Sequence, residues 1–305
     1  MNLRNYLSAA ASGLALTLAA PVFAHEVDET PEVEEVAEKP AGPALWKVAD
    51  EDTTIYLFGT VHALPEGVDW YNVTIKEALA SSDSIVTEIT MDDSMATKMQ
   101  ELVIEKGVYP AGTTLRSKLT EEQRPKFEEG MTKLGLPVAA FDQFEPWYAA
   151  MMMSILPLLQ QGYTPESGVE MVLLKNADGI QRGALETIDY QIAVFDSMPE
   201  ETQIRFLLDT AENVDQIKPM LDAMLVEWLE GDADSLADLM NEGLDDPVVA
   251  ERLLYIRNRN WAEWIETRLD APGTLFIAVG AGHLAGDQSV QDMLGELGVE
   301  TTRVQ

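Results

Sequence analysis

Two apolar segments of this chain end in the same four-residue pattern, Gly-x-x-His. Residues 53–58 run into GTVH, which ends at His62, and residues 274–279 run into GAGH, which ends at His283. Short continuous apolar runs are typical of strands buried in a sheet. Ligands of open α/β sheets bind beyond the carboxyl ends of the strands, where a glycine lets the backbone turn sharply. If the two strands are neighbours, both imidazoles face one crevice; the alternative is two ordinary polar residues on unrelated loops.

Predicted strands and helices alternate at both ends of the chain, whereas the middle is helical. This order predicts an α/β fold, in which a mixed β-sheet core carries the strand-end Gly-x-x-His motifs and a large helical insertion. The predicted strands are residues 44–49, 53–58, 84–89, 180–186, 274–279 and 299–304. The predicted helical segments are residues 72–82, 92–178, 189–269 and 286–297.

The first 24 residues have the composition of a secretory signal peptide. Arg4 provides the positive start, an apolar run covers residues 7–20, and small residues precede residue 25. The run is short for a transmembrane helix, although a retained membrane anchor is the alternative reading. No later run approaches the ~18 apolar residues that a span requires. We therefore expect an exported protein, periplasmic or secreted, with no stable membrane span once the signal peptide is removed.

Residues 25–43 form a second segment of unusual composition. They contain seven acidic side chains, one lysine and no aromatic residue. Such a segment buries too little apolar surface to offset its ordering entropy, which predicts a disordered acidic tether. His25 would then be a bystander near the new amino terminus, and residues 44–305 would form the folded domain.

The charge and the residue usage exclude several classes of protein. The chain has 53 Asp and Glu residues against 20 Lys and Arg, a formal net charge of −33, so it would repel nucleic acid. It has no cysteine, which excludes a disulfide scaffold, a thiolate zinc site and a cysteine nucleophile. No Gly-x-Ser-x-Gly elbow supports serine catalysis.

Four further residues are candidates for a site with the two histidines. Glu88 lies in an apolar predicted strand, where a buried carboxylate needs a partner, unless it points to solvent. Glu186 ends another predicted strand, although an acidic residue before a helix is also ordinary. Arg257 and Arg259 lie on a predicted helix and could pair with these carboxylates or orient an oxyanion; a surface ion pair is the alternative.

These residues lie in segments that resemble the TraB/GumN family, which is related to the Tiki proteins. The similarity follows the order of the family's motifs from about residue 45 to residue 304. The matching segments are LWK at 45–47, IYLFGTVHALP at 55–65, Glu88, LET at 185–187 with Gln191, RNRNW at 257–261 and FIAVGAGHL at 276–284.

The resemblance implies a metal-dependent activity. Tiki proteins are described as metal-dependent proteases that use both Gly-x-x-His motifs and a glutamate, with manganese or cobalt favoured. Carried over to this chain, it implies that His62, Glu88 and His283 are metal ligands or catalytic residues. Zinc is a further candidate, because neutral imidazole is a common zinc ligand.

Three functional hypotheses follow. The first is a periplasmic metal-dependent hydrolase, such as a peptidase, in which His62 and His283 hold a divalent metal with a carboxylate. Glu88 or Glu186 would be a ligand or the general base, and Arg257 would stabilise developing negative charge on a peptide or protein substrate. The alternatives are a non-catalytic metal- or peptide-binding protein and an acidic regulatory protein with a vestigial site.

Overall fold

The computed structural model describes residues 42–92, 94–241 and 246–305. The predicted signal peptide, residues 1–24, and the predicted tether as far as residue 41 lie outside the described residues. Within the described ranges, no helix has the length and apolar character needed to cross a membrane.

The fold is mixed α/β, as predicted, and is built on a six-stranded sheet with the order β6-β4-β7-β2-β1-β8. A second, two-stranded sheet pairs β3 with β5. The strands are β1 (Leu45–Ala49), β2 (Thr53–Thr60), β3 (Leu64–Pro65), β4 (Ser84–Thr87), β5 (Tyr163–Thr164), β6 (Gln181–Ala184), β7 (Gly273–Gly280) and β8 (Thr301–Arg303).

The helices lie mainly between β4 and β7, which confirms the large helical insertion. A π-helical segment, Glu251–Tyr255, leads into α12, and short 3₁₀ turns occupy Pro165–Ser167 and Ala281–Leu284. The α-helices are α1 (Val73–Ala80), α2 (Met95–Lys106), α3 (Leu115–Lys118), α4 (Gln123–Lys133), α5 (Pro146–Gln160), α6 (Val169–Asn176), α7 (Ile188–Asp196), α8 (Glu200–Glu212), α9 (Ile217–Glu230), α10 (Ala233–Asn241), α11 (Pro247–Ala250), α12 (Ile256–Arg268) and α13 (Val290–Glu296).

The two strands that lead into the histidines are parallel neighbours. Strands β2 and β7 pair along their full length, from Thr53 opposite Gly273 to Thr60 opposite Gly280. Strand β4 pairs with the other edge of β7, and β6 pairs with β4, both in parallel. The carboxyl ends of these four strands therefore meet at one edge of the sheet, which is where α/β folds bind ligands.

Strand β7 is buried on both faces, as its continuous apolar sequence predicts. Leu275 and Ile277 join a core with Trp261 of α12 and residues of α13. Phe276 and Ala278 point to the opposite face, into a core with residues of α1, α6 and α9. A third core lies within the helical insertion around α5, whose side chains from Pro146 to Leu158 are all buried.

Two of the strands that are shorter than predicted stop before a candidate glutamate. Strand β4 ends at Thr87 and β6 at Ala184, so Glu88 and Glu186 lie just beyond the strand ends. The two segments still run side by side, because the Glu186 amide donates to the Glu88 carbonyl oxygen at 2.8 Å. Both carboxylates thereby reach the same edge of the sheet as the two histidine turns.

Candidate functional site

Glu88 is buried at the edge of the sheet, with both carboxylate oxygens hydrogen-bonded. Oε1 accepts the backbone amide of Gly280 at 2.8 Å, and Oε2 accepts Arg257 Nη2 at 2.5 Å and Gln191 Nε2 at 2.7 Å. Glu88 is 7% exposed, so the alternative that its side chain points to solvent is wrong. Burial raises the pKa of this carboxyl, but Arg257, His283 and His62 oppose it and hold the pKa well below its usual range.

Arg257 joins Glu88, Glu186 and His283 into one buried cluster. Its guanidinium donates to Glu186 as well as to Glu88, with Nε 2.9 Å from Oε1 of Glu186 and Nη2 2.9 Å from Oε2 of Glu186. The arginine is 3% exposed, and α12 carries it directly after the π-helical segment, a distortion that is frequent at functional sites. Arg259 lies outside the cluster, with its side chain 52% exposed and only a 3.8 Å ion pair to Glu251.

His283 follows β7 in a 3₁₀ turn and is held through both ring nitrogens. Nδ1 lies 2.5 Å from the amide oxygen of Asn258, which only accepts, so Nδ1 carries a proton that it donates. Nε2 lies 3.1 Å from Arg257 Nη1, which only donates, so Nε2 presents a lone pair. Burial and then the nearby positive charge of Arg257 lower the pKa of His283 to about 3, which makes the ring neutral at ordinary pH.

His62 is held in the opposite protonation state. Its Nδ1 lies 2.5 Å from Oε1 of Glu170, which also accepts the Thr60 hydroxyl at 2.5 Å. Burial lowers the pKa of His62, but the charge and hydrogen bond of Glu170, with a smaller contribution from Glu88, outweigh it and raise the pKa to about 9. At neutral pH His62 is therefore an imidazolium with a second proton, on Nε2.

The local chain path brings Glu170 to His62. Gly168 ends the Pro165–Ser167 turn and starts α6, and a Cβ on it would lie 2.1 Å from the carbonyl oxygen of His62. Only glycine allows this approach without moving one of the two backbones. The Val169 amide then donates to the Val61 carbonyl at 3.0 Å, so the first turn of α6 is docked against the turn that carries His62.

The structure brings four of the candidates into direct contact, namely Glu88, Glu186, Arg257 and His283. His62 pairs with Glu170 instead, but its charge acts on both Glu88 and His283. Sequence reasoning missed Glu170, because an acid in the first turn of a helix is ordinary. It also gave no role to Asn258 or Gln191, although both stand in the motifs that carry the family resemblance.

The arrangement of these donors does not fit a divalent metal. In the ranges 42–92, 94–241 and 246–305, no three His, Asp or Glu side chains are placed to hold one ion. The lone pair of His283 Nε2 accepts from Arg257, and so does one oxygen of Glu88. Each histidine does have its Nδ1 fixed by an oxygen, as metal ligands often have, but the Arg257 guanidinium already contacts both His283 Nε2 and Glu88.

Comparisons with known proteins agree with the motif order. "Uncharacterized protein YbaP" of Escherichia coli (strain K12) is 24% identical over 258 residues, which cover 83% of this chain and 92% of that protein. An "Uncharacterized protein" of Treponema pallidum (strain Nichols) is 23% identical over 270 residues, which cover 82% of this chain and 79% of that protein. No solved structure matches. A sequence profile of the TraB/PrgY/gumN family matches residues 44–303, and the chain belongs to this family.

Proposed function

We propose that this protein is a hydrolase of peptide bonds, with His62 as general acid, His283 as general base and Arg257 as the group that stabilises the oxyanion. The observation that carries the proposal is that two histidines at one sheet edge contact opposite charges, His62 Nδ1 at 2.5 Å from the Glu170 carboxylate and His283 Nε2 at 3.1 Å from the Arg257 guanidinium. His62 has its pKa raised to about 9 and His283 has its pKa lowered to about 3. Environments that push two pKa values apart are typical of an acid and a base acting together.

The hydrolytic step follows from these roles. Arg257 Nη1, which contacts His283 Nε2 in the resting site, first turns to the substrate carbonyl oxygen, where it stabilises the negative charge that develops. A water then hydrogen-bonds to the freed Nε2 and gives up a proton to it, and the water oxygen bonds to the substrate carbonyl carbon. That negative charge also favours the protonated form of His283.

The second half of the step uses His62. Its Nε2 proton passes to the amide nitrogen as the carbon–nitrogen bond breaks, so the products are a carboxylic acid and an amine. His283 is then protonated and His62 is neutral, and one proton exchange through solvent restores the resting site. Glu88 and Glu186 act through Arg257, which makes them positioning residues.

The pH dependence of hydrolysis tests the role of His62. The acid form of His62 is required, so kcat/KM should be level across neutral pH and fall as pH rises through about 9. Changing Glu170→Gln removes the charge that raises this pKa, and because burial lowers it, the alkaline limb should move from about 9 to the ordinary value of 6.5 or below it. The measurement is the pH profile of kcat/KM for a peptide substrate.

The matched control for this change is Glu166→Gln, four residues earlier on an exposed position of the same segment. It should leave the alkaline limb in place. An unchanged limb in Glu170→Gln, with an unchanged thermal midpoint, would contradict His62 as the acid. Binding of peptides without turnover in the wild-type protein would support the non-catalytic binding protein instead.

Metal dependence and export stay separate proposals. The family resemblance implies manganese or cobalt, with zinc as a further candidate. The proposed hydrolytic step uses no metal ion, because Arg257 contacts His283 and Glu88. We expect the manganese content of the protein to stay well below one ion per chain after dialysis against manganese and desalting. A stoichiometric ion that a His62→Ala/His283→Ala double variant lacks would establish the metal-dependent form.

The composition of residues 1–24 supports a periplasmic or secreted location, which amino-terminal sequencing of the exported protein checks.

A further inference from the structure

A pocket opens beside His62. Its wall includes Thr60 and His62 from the turn after β2, and Ala281 and Gly282 from the turn that carries His283. The pocket therefore lies against His62, the proposed acid, and against the turn that carries His283, the proposed base.

The rest of the wall is apolar. None of the described residues that line the pocket is Asp, Glu, Lys or Arg, in a chain of which 24% is charged. Helices α5, α9 and α10 supply half of the lining residues. The side chains that form it include Leu158, Leu221, Met224, Leu225, Trp228 and Met240.

Apart from His62, the polar side chains of the wall are already hydrogen-bonded to other protein groups. Trp228 Nε1 donates to the Gly59 carbonyl at 2.9 Å, and the Tyr163 hydroxyl donates to Asp222 at 2.6 Å. The Thr60 hydroxyl donates to Glu170. Apart from the Nε2 proton of His62, which the proposed mechanism gives to the leaving group, the wall offers a charged occupant no matched partner to replace its hydration, whereas an apolar occupant would gain from burial.

We infer that this pocket receives an apolar side chain, aliphatic or aromatic, of the substrate residue next to the scissile bond. This inference rests on the proposed hydrolase function and adds its substrate class. The two methionines, Met224 and Met240, are flexible and polarizable, so they adapt to side chains of different shape. The pocket therefore selects for apolar character rather than for one amino acid.

A set of blocked hexapeptides that differ at one position, occupied by Leu, Phe, Gly or Asp, tests the inference. We expect kcat/KM to be at least about 10-fold higher for Leu and Phe than for Gly, because one methylene in an apolar pocket already contributes about 10–200-fold, and to be lowest for Asp, whose charge would lose its hydration. The change Leu225→Asp should remove this preference. The matched control is Val226→Asp on the same helix, where the side chain is 50% exposed and outside the pocket.

Binding separates this inference from the proposed hydrolysis. Calorimetry with the His283→Gln variant measures the affinity of the same peptides without turnover, and a reduced-amide analogue with wild-type protein replaces it if that variant does not fold. Apolar-selective binding that Leu225→Asp abolishes, in the absence of any turnover, would overturn the hydrolase and keep the pocket. Turnover with no preference among the four residues, or a preference for long-chain acyl amides over the Leu peptide, would overturn the pocket assignment and keep the hydrolase.

Discussion

Replacing Arg257 with methionine should lower the free energy of unfolding by about 3–5 kcal/mol, the usual cost of removing one partner from a buried ion pair. The arginine and the two carboxylates that it joins, Glu88 and Glu186, are each less than a tenth exposed. Methionine retains an apolar stem of similar length but leaves two buried negative charges without their cation. Urea denaturation at neutral pH measures the change.

The helix provides a matched control two residues along. Arg259→Met removes the same charge from a side chain that is 52% exposed and pairs at 3.8 Å, so it should cost about 0–1 kcal/mol. Equal losses in both variants would contradict a buried ionic cluster. Adding Glu88→Gln and Glu186→Gln to Arg257→Met should recover part of the loss, because the unpaired charges are then gone.

The loss in Arg257→Met should also shrink as the pH is lowered. In the wild-type protein the pKa of Glu88 is depressed, so its contribution to stability is present above the ordinary pKa of 4.5 and is lost as pH falls below it. Without the guanidinium, burial dominates and favours the neutral acid. The variant therefore regains stability on acidification while the wild-type protein loses it, and the two denaturation midpoints should converge below pH 4.5.

The sheet could be predicted from the sequence because its central strands are continuous apolar runs. The same reasoning placed both histidines at strand ends, and the parallel pairing of β2 with β7 puts those ends side by side. The helical spacing around Arg257 also distinguishes the two arginines. Arg257, Trp261 and Ile265 are spaced four residues apart, so they share one buried helix face, whereas Arg259 falls outside it.

The long-range contacts within the site could not be predicted in the same way. Thr60 and Glu170 are 110 residues apart, and Arg257 and Glu88 are 169 apart. Periodicity reports which face of an element is buried, but it does not report which distant element packs there. The opposite protonation states of His62 and His283 depend on those long-range contacts, so two identical motifs acquire different chemistry only in the folded chain.

The two histidines should therefore respond differently to the leaving group of the substrate. His62→Gln and His283→Gln should each lower kcat/KM for a peptide amide by about 10²–10⁴-fold, because each removes one proton transfer. A nitrophenyl ester of the same acyl group releases nitrophenolate, which leaves without a proton. On that ester His62→Gln should recover most of its activity, whereas His283→Gln should stay impaired, because water must still be activated.

Parallel assays of the amide and the ester, with thermal midpoints for both variants, measure this difference. A shared structural defect would lower both activities of both variants together, and equal losses on the ester would contradict the assignment of acid and base. Loss in neither variant would point to the regulatory protein with a vestigial site. The asymmetry is expected because Glu170 faces one imidazole and Arg257 the other, so the same residue type supplies a proton at one strand end and accepts one at the next.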